Sequence, residues 1–291
     1  MKFLVALLHL ALLAATARAD ATEPDITFNG DVEDACLTPR VIADALVQAL
    51  FVEFDANATA ALLAPDYIQH NPGVPTGAAP VLGFIPALEA SGLGIETHRT
   101  IEMGNLVAYH STYTNASLFG GDTLVGFDVF RVEDGLVQEH WDNLQELAGP
   151  NPDGNTMTDG ATMVKYLGET EYNQWLVTSF IEEVFMGGNF SALPYYISSE
   201  MYIQHNPDAA NGIDGFIEAF SGALGNITYD SIEFVVAQGN FVLVGGEGTG
   251  GGFPLAFYDL FRVQDEFLVE HWDVIQAIPA PEDFAHDNGK W

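Results

Sequence analysis

From Pro39 onward the apolar residues Ile42, Leu46, Ala49 and Leu50 recur at helical spacing, and Thr38-Pro39 ahead of them offers an N-cap and a first helical residue. A second short helix is expected after Asn57. The hexapeptide YIQHNP at 67–72 follows, and its Asn-Pro pair with Gly73, Pro75 and Gly77 predicts a loop. Phe84, Ile85 and Leu88 predict a third helix. Beyond Glu96 the period changes from that of a helix to two, which predicts strands over 97–102, 106–113, 123–132 and 136–144.

The last two strands form a hairpin by their own chemistry. Asp134-Gly135 readily supplies the positive φ angles of a two-residue type I′ turn. Counting back from that turn sets Val132 opposite Val137, Phe130 opposite Glu139 and Asp128 opposite Trp141. Side chains alternate along a strand, so Asp128, Phe130, Val132, Val137, Glu139 and Trp141 are expected on one face, with Val129, Arg131, Gln138 and His140 on the other. The pattern then recurs. FYDLFRVQDEFLVEHWDVIQ at 257–276 repeats the hairpin with Asp259 opposite Trp272, YIQHNP returns unchanged at 202–207, and Gly215-Phe216-Ile217 repeats Gly83-Phe84-Ile85. Two copies of one unit, helices first and a strand meander after, predict a tandem α+β chain.

Composition adds boundaries. Residues 1–19 have the basic start, short apolar run and small-residue end of a secretory signal peptide, so a secreted protein without a membrane span is expected. A polar tail is expected over 20–37, the first domain over 38–149, a Gly- and Pro-rich linker over 150–171, the second domain over 172–280 and a C-terminal tail over 281–291. Asp287-Asn288-Gly289 in that tail resembles Asp153-Gly154-Asn155 in the linker. The formal charge is −33, which argues against nucleic acid and anionic membranes as partners. Cys36 is the only cysteine, so no disulfide forms within the chain. Asn57, Asn115, Asn189 and Asn226 stand in glycosylation sequons; Asn57 and Asn189 also precede short helical patterns and are candidate caps.

YIQHNP, FDVFRVEDG and EHWDNLQ together resemble the SnoaL-like polyketide cyclase group of the nuclear transport factor 2-like superfamily, over 38–149 and 172–280. The resemblance implies tandem cone-shaped α+β domains, each with three helices against a strongly curved antiparallel sheet and a pocket between them. It also implies an intramolecular pseudo-dimer, no metal or organic cofactor, and a small apolar or carbonyl-containing ligand. In the cyclases an acid on the penultimate strand serves an aldol closure; by motif position it corresponds to Asp128 and Asp259. A carboxylate in such an apolar pocket beside a tryptophan is expected to have a raised pKa. His70 and His205, at the expected pocket mouth, are candidates to polarise a carbonyl, with Asn71 and Asn206 as amide donors. Trp141, Glu139, His110, Tyr113, Trp272 and Glu270 complete the expected lining. His110 and Tyr113 align with Gly245 and Gly248, so the two pockets cannot be chemically equivalent. His140 and His271 fall on the opposite face in this register, and no third ligand with suitable spacing suggests a metal site. Acid/base catalysis competes with two alternatives, a non-catalytic ligand-binding module and a pseudo-dimeric interaction protein.

Overall fold

The computed structural model describes residues 37–291, so the expected signal peptide, Cys36 and nearly all of the polar tail lie outside the described residues. Helix α1, Pro39–Phe51, begins where the sequence predicts: the Thr38 hydroxyl accepts from the Val41 N–H, and Pro39 occupies the first turn. Helix α2, Ala56–Leu62, is capped by Asp55, whose carboxylate accepts from the N–H groups of Asn57 and Ala58. Asn57 is therefore not the cap. Next comes a strand that the apolar pattern does not announce, β1, Leu63–Gln69, which runs parallel to β5, Leu136–Glu146. The loop consequently starts at His70 and not at Tyr67.

Helix α3, Ala78–Ser91, stops at Gly92, whose positive φ closes the last turn. Strands β2, Gly94–Met103, β3, Leu106–Thr114, and β4, Thr123–Glu133, then join β5 in a five-stranded sheet ordered β1-β5-β4-β3-β2. The second half repeats this order. Helix α4, Thr170–Phe180, continues into a π-helical stretch, Ile181–Met186. After it come the short α5, Leu193–Tyr196, strand β6, Ile203–Gln204, and α6, Gly212–Ser221. Strands β7, Ile227–Gln238, β8, Phe241–Gly250, β9, Phe253–Gln264, and β10, Phe267–Ala277, complete a second five-stranded sheet ordered β6-β10-β9-β8-β7. Among the described residues no helix is long and apolar enough to cross a membrane.

The predicted turn is present, with φ of 51° at Asp134 and 77° at Gly135, and Val132 does oppose Val137. The register fails one step later. Gln138 is an extra residue on β5, so Arg131 faces Glu139, Phe130 faces His140, Val129 faces Trp141 and Asp128 faces Asp142. A one-residue bulge moves every later side chain of the bulged strand to the other face. The second hairpin has the same defect at Val269, and Asp259 faces Asp273, not Trp272. The expected partnering of Asp128 with Trp141 and of Asp259 with Trp272 is thereby corrected.

Each sheet buries its inner face against the helices of its own half, around Leu46, Ile85 and Phe130 in one case and Phe180, Phe216 and Phe261 in the other. A third cluster joins the outer faces of both sheets through Phe127, Val129, Val236, Leu260 and Trp272. Buried Asn143 reaches across it, donating from Nδ2 to Ala256 O at 3.0 Å and Val274 O at 2.7 Å. Gln145 and Gln276 cross in opposite directions, each accepting a backbone N–H of the other half.

The two connecting segments are also exchanged. Asn155, after the first half, donates to Gln204 O and to Asn211 beside the second YIQHNP. Asn288, after the second half, donates to Gln69 O and to Thr76 beside the first. The repeated Asn of linker and tail is thus a strap contact. Replacing Asn143 by Ala removes both cross-sheet bonds at a fully buried site and is expected to cost about 1–3 kcal/mol of unfolding free energy in urea titration. An unchanged midpoint would contradict the weight given to this contact.

Candidate functional site

The bulge brings His140 and Asp142 onto the inner face of the first sheet beside Asp128, at the polar end of a cavity of about 60 Å³. Its apolar wall comes from α1, α3 and β4, through Leu46, Leu50, Val81, Leu88 and Phe130. The space suits a few waters or a small compact ligand. Tyr67, Gln69 and Asn71 enter the same cavity because alternate residues of β1 and its extension point inward.

Hydrogen-bond bookkeeping fixes the proton on His140. Gln69 Oε1 accepts from the backbone N–H groups of His70 at 2.9 Å and Asn71 at 2.8 Å, which sets the orientation of its amide. That same oxygen lies 3.0 Å from His140 Nδ1, so Nδ1 must donate. Nε2 then faces Asp128 Oδ1 at 3.1 Å, and two lone pairs cannot share that gap: one further proton is held between imidazole and carboxylate. The Tyr113 hydroxyl donates to the other oxygen, Asp128 Oδ2. Burial, and then the Asp128 charge, push the Tyr113 phenol well above its ordinary range, so it remains a donor. Asp142 Oδ2 accepts from Asn71 Nδ2 at 2.6 Å, while Asp142 Oδ1 is buried with no partner. The cavity therefore presents one stored proton and one unpaired carboxylate oxygen.

The second half assembles the same parts around a cavity of about 40 Å³: Asp259, His271 and Asp273, with Gln204 Oε1 bound to His271 Nδ1 and Asn206 Nδ2 bound to Asp273 Oδ2. Tyr113 has no counterpart, since Gly248 occupies its position on β8. Glycine at the neighbouring Gly246 makes room for Tyr229, whose hydroxyl stands 2.1 Å from where a Cβ would lie. Tyr229 comes near Asp259 without closing a hydrogen bond of normal geometry. Burial pushes the Asp273 carboxyl up to about 6; His271 pulls it back and Asp259 pushes it further.

Several expected pocket residues lie on the outer face instead. His70 follows inward-facing Gln69 and so points out; it stacks on Trp141 at 5.0 Å, and its ring nitrogens face Gly289 O and Glu139. Glu139 is bound in turn by Arg131. His205 does the same with Trp272, Thr156 O and Glu270, and Glu270 is bound by Arg262. Burial pushes the Glu270 carboxyl up, but its bonds from His205 and Arg262 outweigh this and hold it below the usual range. His110 is likewise outside the pocket, stacked on Phe127 and bonded to Arg99, the latter lying over the Trp272 ring. Of the expected set, Asp128, Asn71 and Tyr113 line the first cavity, and Asp259 and Asn206 line the second. His70, Glu139, Trp141, His110, His205, Glu270 and Trp272 do not. They build the surface between the halves.

Alternation reveals neither a bulge nor a short parallel edge strand, so it does not place His140, Asp142, His271 and Asp273 in the pockets, nor Gln69 and Gln204. A signal was available: Gln69, His140 and Asp142 are identical in the two copies. The metal expectation also changes, since each half gathers two carboxylates and a histidine whose ligand atoms lie within 4.8 Å of one another. The four sequon asparagines are all exposed.

A family model described as a SnoaL-like domain matches residues 43–140, a stretch inside the first half. No curated protein matches the chain. Among solved structures, a candidate ketosteroid isomerase from Kribbella flavida is 27% identical, with 39% of this chain and 82% of that one covered and a TM-score of 0.33. A candidate polyketide cyclase from Sinorhizobium meliloti is 18% identical, covering 36% of this chain and 93% of that one at a TM-score of 0.31. An M. tuberculosis LEH-like epoxide hydrolase is 17% identical, covering 37% and 85% at a TM-score of 0.31.

The C-terminal strap places one buried ammonium against the strand that carries the first site. Buried Lys290 donates from Nζ to Asp142 O at 2.5 Å, and burial lowers its pKa from 10.5 to about 8, with Asp142 opposing the shift. Below about pH 8 the folded chain carries the cost of a buried ammonium, on the order of 3 kcal/mol. Between about 8 and 10.5 the folded state has released that proton while the unfolded state keeps it, so stability rises with pH. Measured by urea unfolding across that window, wild type is expected to gain on Lys290→Met as pH increases. A difference independent of pH would contradict the assignment.

Proposed function

We propose that the chain is a secreted tandem of two SnoaL-like, nuclear transport factor 2-like domains joined as an intramolecular pseudo-dimer, and that its first pocket performs acid/base chemistry on a small carbonyl compound. The single observation that carries the reading is the pairing, in one apolar cavity, of the unpartnered Asp142 Oδ1 with the proton held between His140 and Asp128. The family match over 43–140 and the resemblance of the repeated motifs support it. The apolar N-terminal run and exposed sequons support the extracellular address, and the apolar cluster between the sheets supports the pseudo-dimer.

In the proposed step Asp142 Oδ1 takes a proton from the carbon next to a carbonyl. The dyad proton passes to the carbonyl oxygen, giving an enol. Delivery of the Asp142 proton to another carbon, with the enol O–H returned to the dyad, isomerises the compound; attack of the enol carbon on a second carbonyl closes a ring, the new alkoxide taking the Asp142 proton and the enol O–H returning to the dyad. Either route restores both groups. The role expected of His70 as the polarising partner passes to His140, and the base expected at Asp128 passes to Asp142. A purely apolar cargo is disfavoured, because it would leave Asp142 Oδ1 buried without a partner.

Proton exchange into small enolisable ketones and 1,3-diketones in D₂O, followed by NMR, tests the reading. Wild type should catalyse exchange, and Asp142→Asn and His140→Gln should each lower it by about 10²- to 10⁴-fold with the fold retained by circular dichroism. No catalysed exchange in wild type, or equal exchange in Asp142→Asn, would overturn the proposal.

A further inference from the structure

We propose that the Asp259–His271–Asp273 cluster of the second half binds a first-row divalent cation, Zn²⁺ or Mn²⁺, through one imidazole nitrogen and two carboxylates. This site is separate from the acid/base pocket of the first half, and the proposal stands or falls independently of that reading.

Geometry comes first. His271 Nε2 and Asp259 Oδ1 are 3.0 Å apart, and the three ligand atoms lie within 4.8 Å of one another. Ligands on bonds of about 2.1 Å stand about 3.0 Å apart at the right angles of an octahedral ion and about 3.4 Å apart at the tetrahedral angle of Zn²⁺, so this spacing fits Mn²⁺ directly and Zn²⁺ after a small opening. Two of the three ligands, His271 and Asp273, are also held from behind. Gln204 Oε1 accepts backbone N–H bonds from His205 at 2.9 Å and Asn206 at 3.0 Å, so its 2.9 Å contact with His271 Nδ1 puts a proton there and leaves Nε2 facing the cluster, where a cation would displace the proton that otherwise bridges to Asp259 Oδ1. Asn206 Nδ2 holds Asp273 Oδ2 at 2.6 Å. Orientation of a metal-binding imidazole by a bond to its other nitrogen, and of the carboxylate by an amide, is how proteins commonly fix such ligands.

The second observation is independent of the cluster's composition. Asp259 Oδ2 and Asp273 Oδ1 are buried with no hydrogen-bond partner, in side chains more than nine-tenths shielded from solvent. Orphaned carboxylate oxygens of this kind call for a ligand.

The two halves differ in how far their carboxylates are satisfied. In the first half Tyr113 donates to Asp128 Oδ2, which leaves Asp142 Oδ1 as the one unpartnered carboxylate oxygen of the cluster. In the second half Gly248 stands in the place of that tyrosine, and Tyr229 comes near Asp259 without closing a normal bond, so both Asp259 Oδ2 and Asp273 Oδ1 are left unpartnered. One nitrogen with oxygen donors suits Zn²⁺ or Mn²⁺ better than Ca²⁺, which takes six to eight oxygens.

The full chain, stripped with chelator, should bind Zn²⁺ at one saturable site by calorimetry in about 0.15 M salt, which screens the acidic surface. Mn²⁺ should compete, and the melting temperature should rise with either ion. Asp273→Asn and Asp259→Asn should each weaken binding more than about 100-fold, while Asp142→Asn leaves it unchanged. Should neither variant fold, imidazole nitrogen NMR of wild type decides, with Zn²⁺ expected to shift His271 Nε2 and leave His140 in place. Absence of saturable binding, survival of the site in both variants, loss with Asp142→Asn, or an unmoved His271 resonance would overturn the proposal.

Discussion

One extra residue in each long hairpin governs what the rest of the molecule can be. Gln138 on β5 and Val269 on β10 each displace the strand by one position, so the residues between the bulge and the strand end exchange faces. His140 and Asp142 thereby enter the cavity beside Asp128, and Glu139 and Trp141 leave it for the outer surface. Without the bulge the same sequence would set Trp141 beside Asp128 and turn the imidazole away. Pocket chemistry and the surface between the halves are therefore consequences of a single backbone irregularity, expressed twice.

The exchanged straps bind these two surfaces together. Outward-facing His70 and His205 stack on Trp141 and Trp272, and one ring nitrogen of each meets a carbonyl of the tail or the linker respectively while the other meets a glutamate of its own sheet. The residues after them, Asn71 and Asn206, turn inward to hold Asp142 and Asp273. A short loop is thus fixed on one side by the other half's strap and on the other by its own carboxylate. Lys290 at the end of the tail bonds the Asp142 carbonyl, which anchors the tail on the strand that carries the first site.

Much of the fold was legible in the sequence. The Thr38-Pro39 cap, the Asp134-Gly135 turn, the strand meander and the repetition of both in the second half follow from local chemistry that the structure leaves intact. β1 was not legible, because a short edge strand paired in parallel has no hairpin partner nearby in sequence to reveal it. Without β1 nothing shows that Gln69 points inward and His70 outward, so His70 is expected at the pocket mouth. The bulge was not legible either, since alternation within Leu136–Glu146 gives no sign that Gln138 lacks an opposite number. Both failures displaced the site in the same direction, toward Trp141, Glu139 and His70, while Asp128, Tyr113 and Asn71 kept their place. Identity between the copies at Gln69, His140 and Asp142 was the information that survived both errors.

Pocket chemistry depends on Asp128 and Asp142 being cross-strand partners. In the folded protein, backbone NMR can read that pairing directly, through nuclear Overhauser contacts between residues facing each other on β4 and β5. Contacts linking Asp128 with Asp142 and Phe130 with His140 are expected. Contacts linking Asp128 with Trp141 and Phe130 with Glu139 would contradict that pairing, since they would remove the imidazole and the free carboxylate from the pocket.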